Sequence, residues 1–295
     1  MSSTKKLGGV LWFNVILFGF IGQIAWAVEN IYFNTFLFNK IGATHEKISL
    51  MVSASAVTAM LTTLVMGALS DKLKNRKLFI SVGYLFWGAV TAVFGFITKE
   101  NIANLFHLSD EATILGTTVW FVILMDIVMT FMGSTSNDAA FQAWVTDVTV
   151  PRQRPLVETV LSVVGTVSSF AVTGVGSFAQ AGKISYKVFF IGLGILVSVC
   201  GVVGLFLIKD PPKTAKIQTS GNYLSDLVYG FRPSVIKENA KLYLSLLSFC
   251  FAIIAFQVFY PYLLTYVQYV ILPDNGGFNP GQNDDGSYNA DGTVE

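Results

Sequence analysis

The chain has 295 residues, a length that suits about two soluble domains, yet 53% of them are hydrophobic and only 13% are charged. Soluble domains carry about a quarter Asp, Glu, Lys and Arg, so this little charge cannot cover the surface and most of it must face lipid. The balance of 19 basic and 18 acidic residues, +1 overall, gives no support to nucleic-acid binding.

A helix crossing the ~30 Å apolar layer needs about 20 largely apolar residues. In chain order the stretches that qualify are 10–36, 47–69, 78–98, 113–146, 157–181, 185–208 and 242–272. They predict an all-α membrane protein, and the alternating segments of a membrane barrel are absent. Lys5 and Lys6 before an apolar run ending at Ala25-Trp26-Ala27 have the outline of a secretory signal. The run is longer than such signals and continues from Ile31 to Phe38, so it is read as a span. Cys200 and Cys250 fall inside spans, and no disulfide framework is implied.

Sorting Lys and Arg by loop places fourteen on one side, among them Lys72, Arg76, Lys77, Arg152, Arg154 and Lys209. Five lie on the other: Lys40, Lys47, Lys99, Lys183 and Lys187. The positive-inside bias makes the amino terminus cytoplasmic and the setting the cell membrane. The divisions that follow are a six-helix bundle over 1–208, a cytoplasmic loop over 209–241, a seventh helix over 242–272 and a polar acidic tail over 273–295. The loop holds Pro211-Pro212, several Lys and a weakly amphipathic segment around Tyr223–Phe231.

Along span one, Gly19, Gly22, Gln23, Trp26, Glu29 and Asn30 recur on one helical arc. Gly19 and Gly22 suit a packing seam. Gln23 at membrane depth should face a partner or a water-filled cavity, with Trp26 and Asn30 beside it, and Glu29 either joins them or snorkels to the interface. Between spans two and three runs Gly67-Ala68-Leu69-Ser70-Asp71-Lys72-Leu73-Lys74-Asn75-Arg76-Lys77. Span four carries Asp126 within the membrane, with Thr130, Gly133 and Asn137 on its face, and Asp138 and Gln142 as an i, i+4 pair. If that helix is long, Asp138 lines a cavity; if it ends at Met132, Asp138 is a loop residue. Span five has Gly165, Ser169, Thr173 and Ser177 at spacing four, a stripe expected to pack. In span seven Pro261 should kink the helix, Gln257 and Tyr260 can stack on and bond a hydroxylated ligand, and Tyr266 and Tyr269 suit an interfacial belt. His45 and His107 are read as solvated loop residues. No catalytic triad, metal cluster or phosphate loop is evident, so no enzyme, cofactor or metal is expected.

The loop from Gly67 to Lys77 resembles the signature loop of the major facilitator superfamily. Gly67, Leu69, Asp71, Lys72, Arg76 and Lys77 fit if one residue is inserted, and Asn75 stands nearest to the missing second glycine. The resemblance implies a bundle of three plus three inverted repeats. It also implies a conformational latch at Gly67, Asp71, Lys72, Arg76 and Lys77. More narrowly, Asn137 to Thr149 resembles the fourth helix of the glycoside–pentoside–hexuronide:cation symporters, with Asp138 on that family's sugar-binding aspartate. Gly22 to Ala27 resembles the first helix of plant sucrose/proton symporters. What this implies is sugar:proton symport by alternating access. Gln23, Trp26, Asn30, Asp138, Gln142, Gln257 and Tyr260 would be the sugar contacts, and Glu29, Asp126 and Asp138 the proton-coupling candidates. Ala59 and Thr63 stand where the melibiose permeases coordinate sodium, so a proton is the expected partner ion. An exporter of amphipathic compounds is the alternative within the superfamily. A seven-helix receptor or photosensor is the alternative of another class: a retinal photosensor would need a Lys in the last span, where none lies, and the cytoplasmic amino terminus opposes the usual receptor topology. Twelve-span relatives make the chain look truncated after the seventh helix, so a carboxy-terminal half is an expected partner and transport by this chain alone is not expected.

Overall fold

The computed structural model describes residues 7–73, 75–180, 183–210 and 232–267. Lys5, Lys6, Lys74, Tyr269, most of the predicted 209–241 loop and the whole predicted tail lie outside them. Among the described residues, seven helices are long and apolar enough to cross a membrane. They are Gly9–Ile41, His45–Leu73, Arg76–Phe94, Glu111–Val148, Arg154–Ala179, Tyr186–Leu207 and Ala240–Phe259, called the first to seventh spans. No strand occurs among the described residues.

Local signals explain several ends. Gly42, at φ +82°, makes the left-handed turn between the first two spans, a conformation that favours glycine. Asn75 caps the third span by accepting the Leu78 N–H at 3.2 Å. Asp110 caps the fourth, accepting the Thr113 N–H at 2.8 Å and its hydroxyl at 2.6 Å, and these bonds hold its carboxyl below the usual carboxylate range. The seventh span breaks at the expected place, where a 3₁₀ turn over Tyr260–Tyr262 is followed by a short helix, Leu263–Tyr266. An unexpected short helix, Lys99–Phe106, leads into the fourth span.

The third and sixth spans pack most extensively, backbone against backbone. A Cβ at Gly194 would lie 2.5 Å from the Gly88 carbonyl oxygen and 2.6 Å from the Ala92 nitrogen, and one at Gly201 would lie 2.5 Å from the Leu85 nitrogen. The first span packs on the fifth, and the second on the fourth. Side chains also reach carbonyls across span interfaces, first to sixth, first to fifth and sixth to third. Asn14 donates to the Leu207 carbonyl at 3.0 Å, Tyr32 to that of Thr173 at 3.1 Å, and Ser198 to that of Leu85 at 3.1 Å.

The fifth span corrects one expectation. Its buried face carries Val157, Ser168, Val172, Gly176 and Ala179, while Thr173 and Ser177 of the spacing-four stripe are exposed. A step of four drifts around a helix with 3.6 residues per turn, and the bulk of Tyr32 against Gly176 sets which face is covered. His45 is also more than a solvated residue. Its ring stacks 4.8 Å from Phe38 and meets Tyr262 edge-on at 6.0 Å, where the seventh span approaches the first two.

Candidate functional site

Two spans depart from regular α-helix. The first opens into wider π turns over Val28–Phe33 and Leu37–Ile41, and the fourth does so over Ser134–Phe141. Such turns disturb the backbone ladder, and in an apolar layer each freed carbonyl needs a donor. These runs bring their own. Asn30 and Asn34 amides donate to the Trp26 and Asn30 carbonyls at 2.8 and 2.7 Å. The Thr135 and Ser136 hydroxyls donate to the Phe131 and Met132 carbonyls, each at 2.7 Å. Since the fourth span is helical to Val148, Asp138 is a helix residue and not part of a loop.

Between these spans lies a cavity of about 130 Å³. Trp26, Glu29, Asn30 and Asn34 line it from the first span, Ser55 and Ala59 from the second, Asp126 and Thr130 from the fourth, and Gln257 from the seventh. Glu29 is 7% and Asp126 2% exposed. Each carboxylate is held by a hydroxyl from another span. Thr130 donates to Glu29 Oε1 at 2.8 Å, and Ser55 donates to Asp126 Oδ2. The second oxygen of each, Glu29 Oε2 and Asp126 Oδ1, is buried without a partner. Among the described residues, no Lys, Arg or His lines the cavity. Buried carboxylates without a basic partner are neutralised by a proton or a cation, so the two free oxygens are places to receive one. The volume matches about four waters at roughly 30 Å³ each and falls short of the ~300 Å³ of a small-molecule pocket.

A second polar group lies further along the same helices. Asn137 donates to Asp138 Oδ1 at 3.3 Å, and the Trp26 and Ser134 side chains also face this carboxylate. The Tyr84 hydroxyl sits 2.9 Å from Asn137 Oδ1 and 2.8 Å from the Phe18 carbonyl oxygen, sharing its one proton between them. Gln23 is half-buried against Gly165, and Gln142, further along the fourth span, is exposed. Tyr260 is half-buried and stacks on Phe256 at 4.8 Å. The structure therefore brings Trp26, Glu29, Asn30, Asp126 and Gln257 together and leaves Gln23, Asp138, Gln142 and Tyr260 off the cavity wall.

At the opposite end of the second span, Arg76 is buried and bonds Asp71, Ser70 and, at 3.2 Å, Asp147 of the fourth span. Asp210 accepts the Lys77 backbone N–H at 2.9 Å, while Lys72 is exposed. Gly67 faces Ala139, whose Cβ a Cβ at Gly67 would meet at an ordinary contact distance of 3.9 Å.

Sequence reasoning missed Ser55, Asn34 and Asp147. Ser55 and Asn34 sit in runs that read as small-residue or polar punctuation and carried no signal. Asp147 was findable, since a four-span count puts it at the same membrane face as Arg76.

The profile of a family described as the Major Facilitator Superfamily matches residues 12–273. No curated protein and no solved structure matches the chain.

Proposed function

This chain belongs to the Major Facilitator Superfamily, matched over residues 12–273, and is a multi-pass secondary transporter; we propose that it carries a small sugar or glycoside together with a proton by alternating access. The observation that carries the proton half is the pair of buried carboxylates, each fixed at one oxygen and free at the other, in a cavity without a basic residue. A carboxyl that takes a proton loses the charge that is costly at membrane depth. Binding and release there can therefore be linked to the helix movements that open each side. Ala59, on the cavity wall, brings no oxygen. A hard cation wants several oxygen ligands; besides the two free carboxylate oxygens the wall offers Asn34 Oδ1, also buried without a partner, so the sodium-replacement arm of the test below separates a cation from the proton proposed.

The sugar half rests on Gln23, Asp138 and Gln142, set apart from the cavity, with Trp26, Asn30, Gln257 and Tyr260 as further contacts as the helices move. Amide and carboxylate groups accept from and donate to sugar hydroxyls. The fourteen-to-five distribution of basic residues supports a cytoplasmic amino terminus in the cell membrane.

The test is uptake of a panel of labelled glycosides by the full-length protein, with and without a protonophore, and with sodium replaced by choline. The expected result is uptake that collapses with the protonophore and survives sodium removal. Glu29→Gln and Asp126→Asn should each abolish gradient-driven accumulation while retaining sugar exchange. A folded protein with no protonophore-sensitive uptake of any glycoside would overturn the proposal.

A further inference from the structure

The coupling cavity and the Asp138 group are separate, and among the described residues Trp26 belongs to both. It lines the cavity that holds Glu29 and Asp126, and its side chain also faces Asp138. Its setting fixes it there. The ring packs against Trp87 at a centroid distance of 5.2 Å. Gly133 opposite has no side chain because none fits: a Cβ there would lie 2.8 Å from Trp87 and 3.0 Å from Trp26. The backbone at Trp26 is held too, since its carbonyl accepts the Asn30 amide at 2.8 Å. Glu29, one turn along the same helix, lies within electrostatic range of both Asp126 and Asp138, so the three carboxylates form one electrostatic group, and this indole borders both the cavity and Asp138.

We propose that Trp26 is a partition between the two carboxylate groups. The apolar ring keeps water from joining the cavity to Asp138, so a proton on Glu29 or Asp126 cannot pass to Asp138 unless the helices rearrange. The indole N–H orients Asp138 on the far side. Without such a barrier a chain of carboxylates and waters would conduct protons without substrate and dissipate the gradient. Trp26 is thus a positioning residue, and its function is to keep the two halves of the transport step in sequence. This rests on the proton-coupling reading of the cavity.

The experiment measures proton leak with no sugar present. The full-length protein is reconstituted in liposomes containing a pH-sensitive dye, and a pH step is imposed. Trp26→Ala is expected to raise the leak about tenfold over the parent. Trp26→Phe, which keeps a ring and loses the N–H, is expected to leak at the parent level. Adding Asp126→Asn to Trp26→Ala should return the leak to the parent level, because the route then lacks a station. Where Trp26→Ala is not monodisperse, Trp26→Leu takes its place. A parent-level leak in the folded ring-free variant, in a protein whose parent shows protonophore-sensitive uptake, overturns the partition and leaves the coupling reading standing. A leak in that variant that Asp126→Asn does not reduce also overturns it. If the parent lacks gradient-driven uptake but the leak appears and depends on Asp126, the partition holds and the sugar assignment falls.

Discussion

Thr130 and Ser55 are small residues with a large share in the site, because each supplies the hydrogen bond that fixes a buried carboxylate. Thr130→Val keeps the shape and removes the donor, leaving both oxygens of Glu29 unpartnered. A buried acceptor deprived of its partner costs about 1–3 kcal/mol, which should appear as a lower unfolding temperature in a thiol-dye melt. The effect should shrink in a Glu29→Leu background, where no acceptor remains, and the coupling in that double-mutant cycle should be about 0.5–3 kcal/mol. Equal losses in both backgrounds would mean that Thr130 matters only for packing. Glu29 and Asp126 were legible in the sequence because a carboxylate inside an apolar run is expensive and needs a reason. Their hydroxyl partners were not, since Ser and Thr occur throughout these helices and only the packing of span two on span four shows which one meets Asp126.

At the scale of elements, the seven spans were readable from hydropathy, and the break at Pro261 from the chemistry of proline. The π turns were not. Periodicity reports 3.6 residues per turn, while the extra residue in Val28–Phe33 and Ser134–Phe141 depends on donors such as Asn30 and Ser136 finding the freed carbonyls. Glycine contacts were equally hidden, because the spacing of glycines does not say which of them meets another backbone. The third and sixth spans make this testable. Gly194→Ala would press a methyl onto the Gly88 carbonyl and the Ala92 nitrogen, and backbone cannot rotate away. The helices must separate, at about 1–3 kcal/mol for such overpacking. Gly192→Ala, two residues earlier with nothing within 4 Å of its added carbon, should be neutral or should gain up to about 1 kcal/mol from helix propensity. Thermal melts of the two variants should therefore move apart. A Gly194→Ala melt as high as that of Gly192→Ala would show that the close approach is not needed for stability.

The whole bundle has an internal relation that links the carboxylate cavity to the Gly67–Lys77 loop. If spans one to three correspond to four to six, the contact of first with fifth corresponds to that of fourth with second, and the third–sixth contact maps onto itself; all three are present. The π turns follow the same relation, since they fall in the first and fourth spans. The second span holds Asp126 through Ser55 within its length and meets Arg76 through Ser70 and Asp71 at its far end. Arg76 also reaches Asp147 of the fourth span, so the same pair of spans is tied at two levels. A release at one level is then felt along a rigid helix at the other. Arg76→Lys should loosen the clamp, because a lysine presents one compact charge and cannot fork to Asp71 and Asp147 together. Losing one charge-assisted bond of roughly 1.5 kcal/mol would shift the conformational ratio about tenfold away from this state. Ala139 reports the shift. It is 5% exposed and faces Gly67 across the seam that the clamp closes. With Cys200 and Cys250 replaced by Ser, Ala139→Cys should be alkylated about tenfold faster in Arg76→Lys than beside the native arginine. Equal rates would mean that Arg76 braces the loop in every conformation and does not latch one of them.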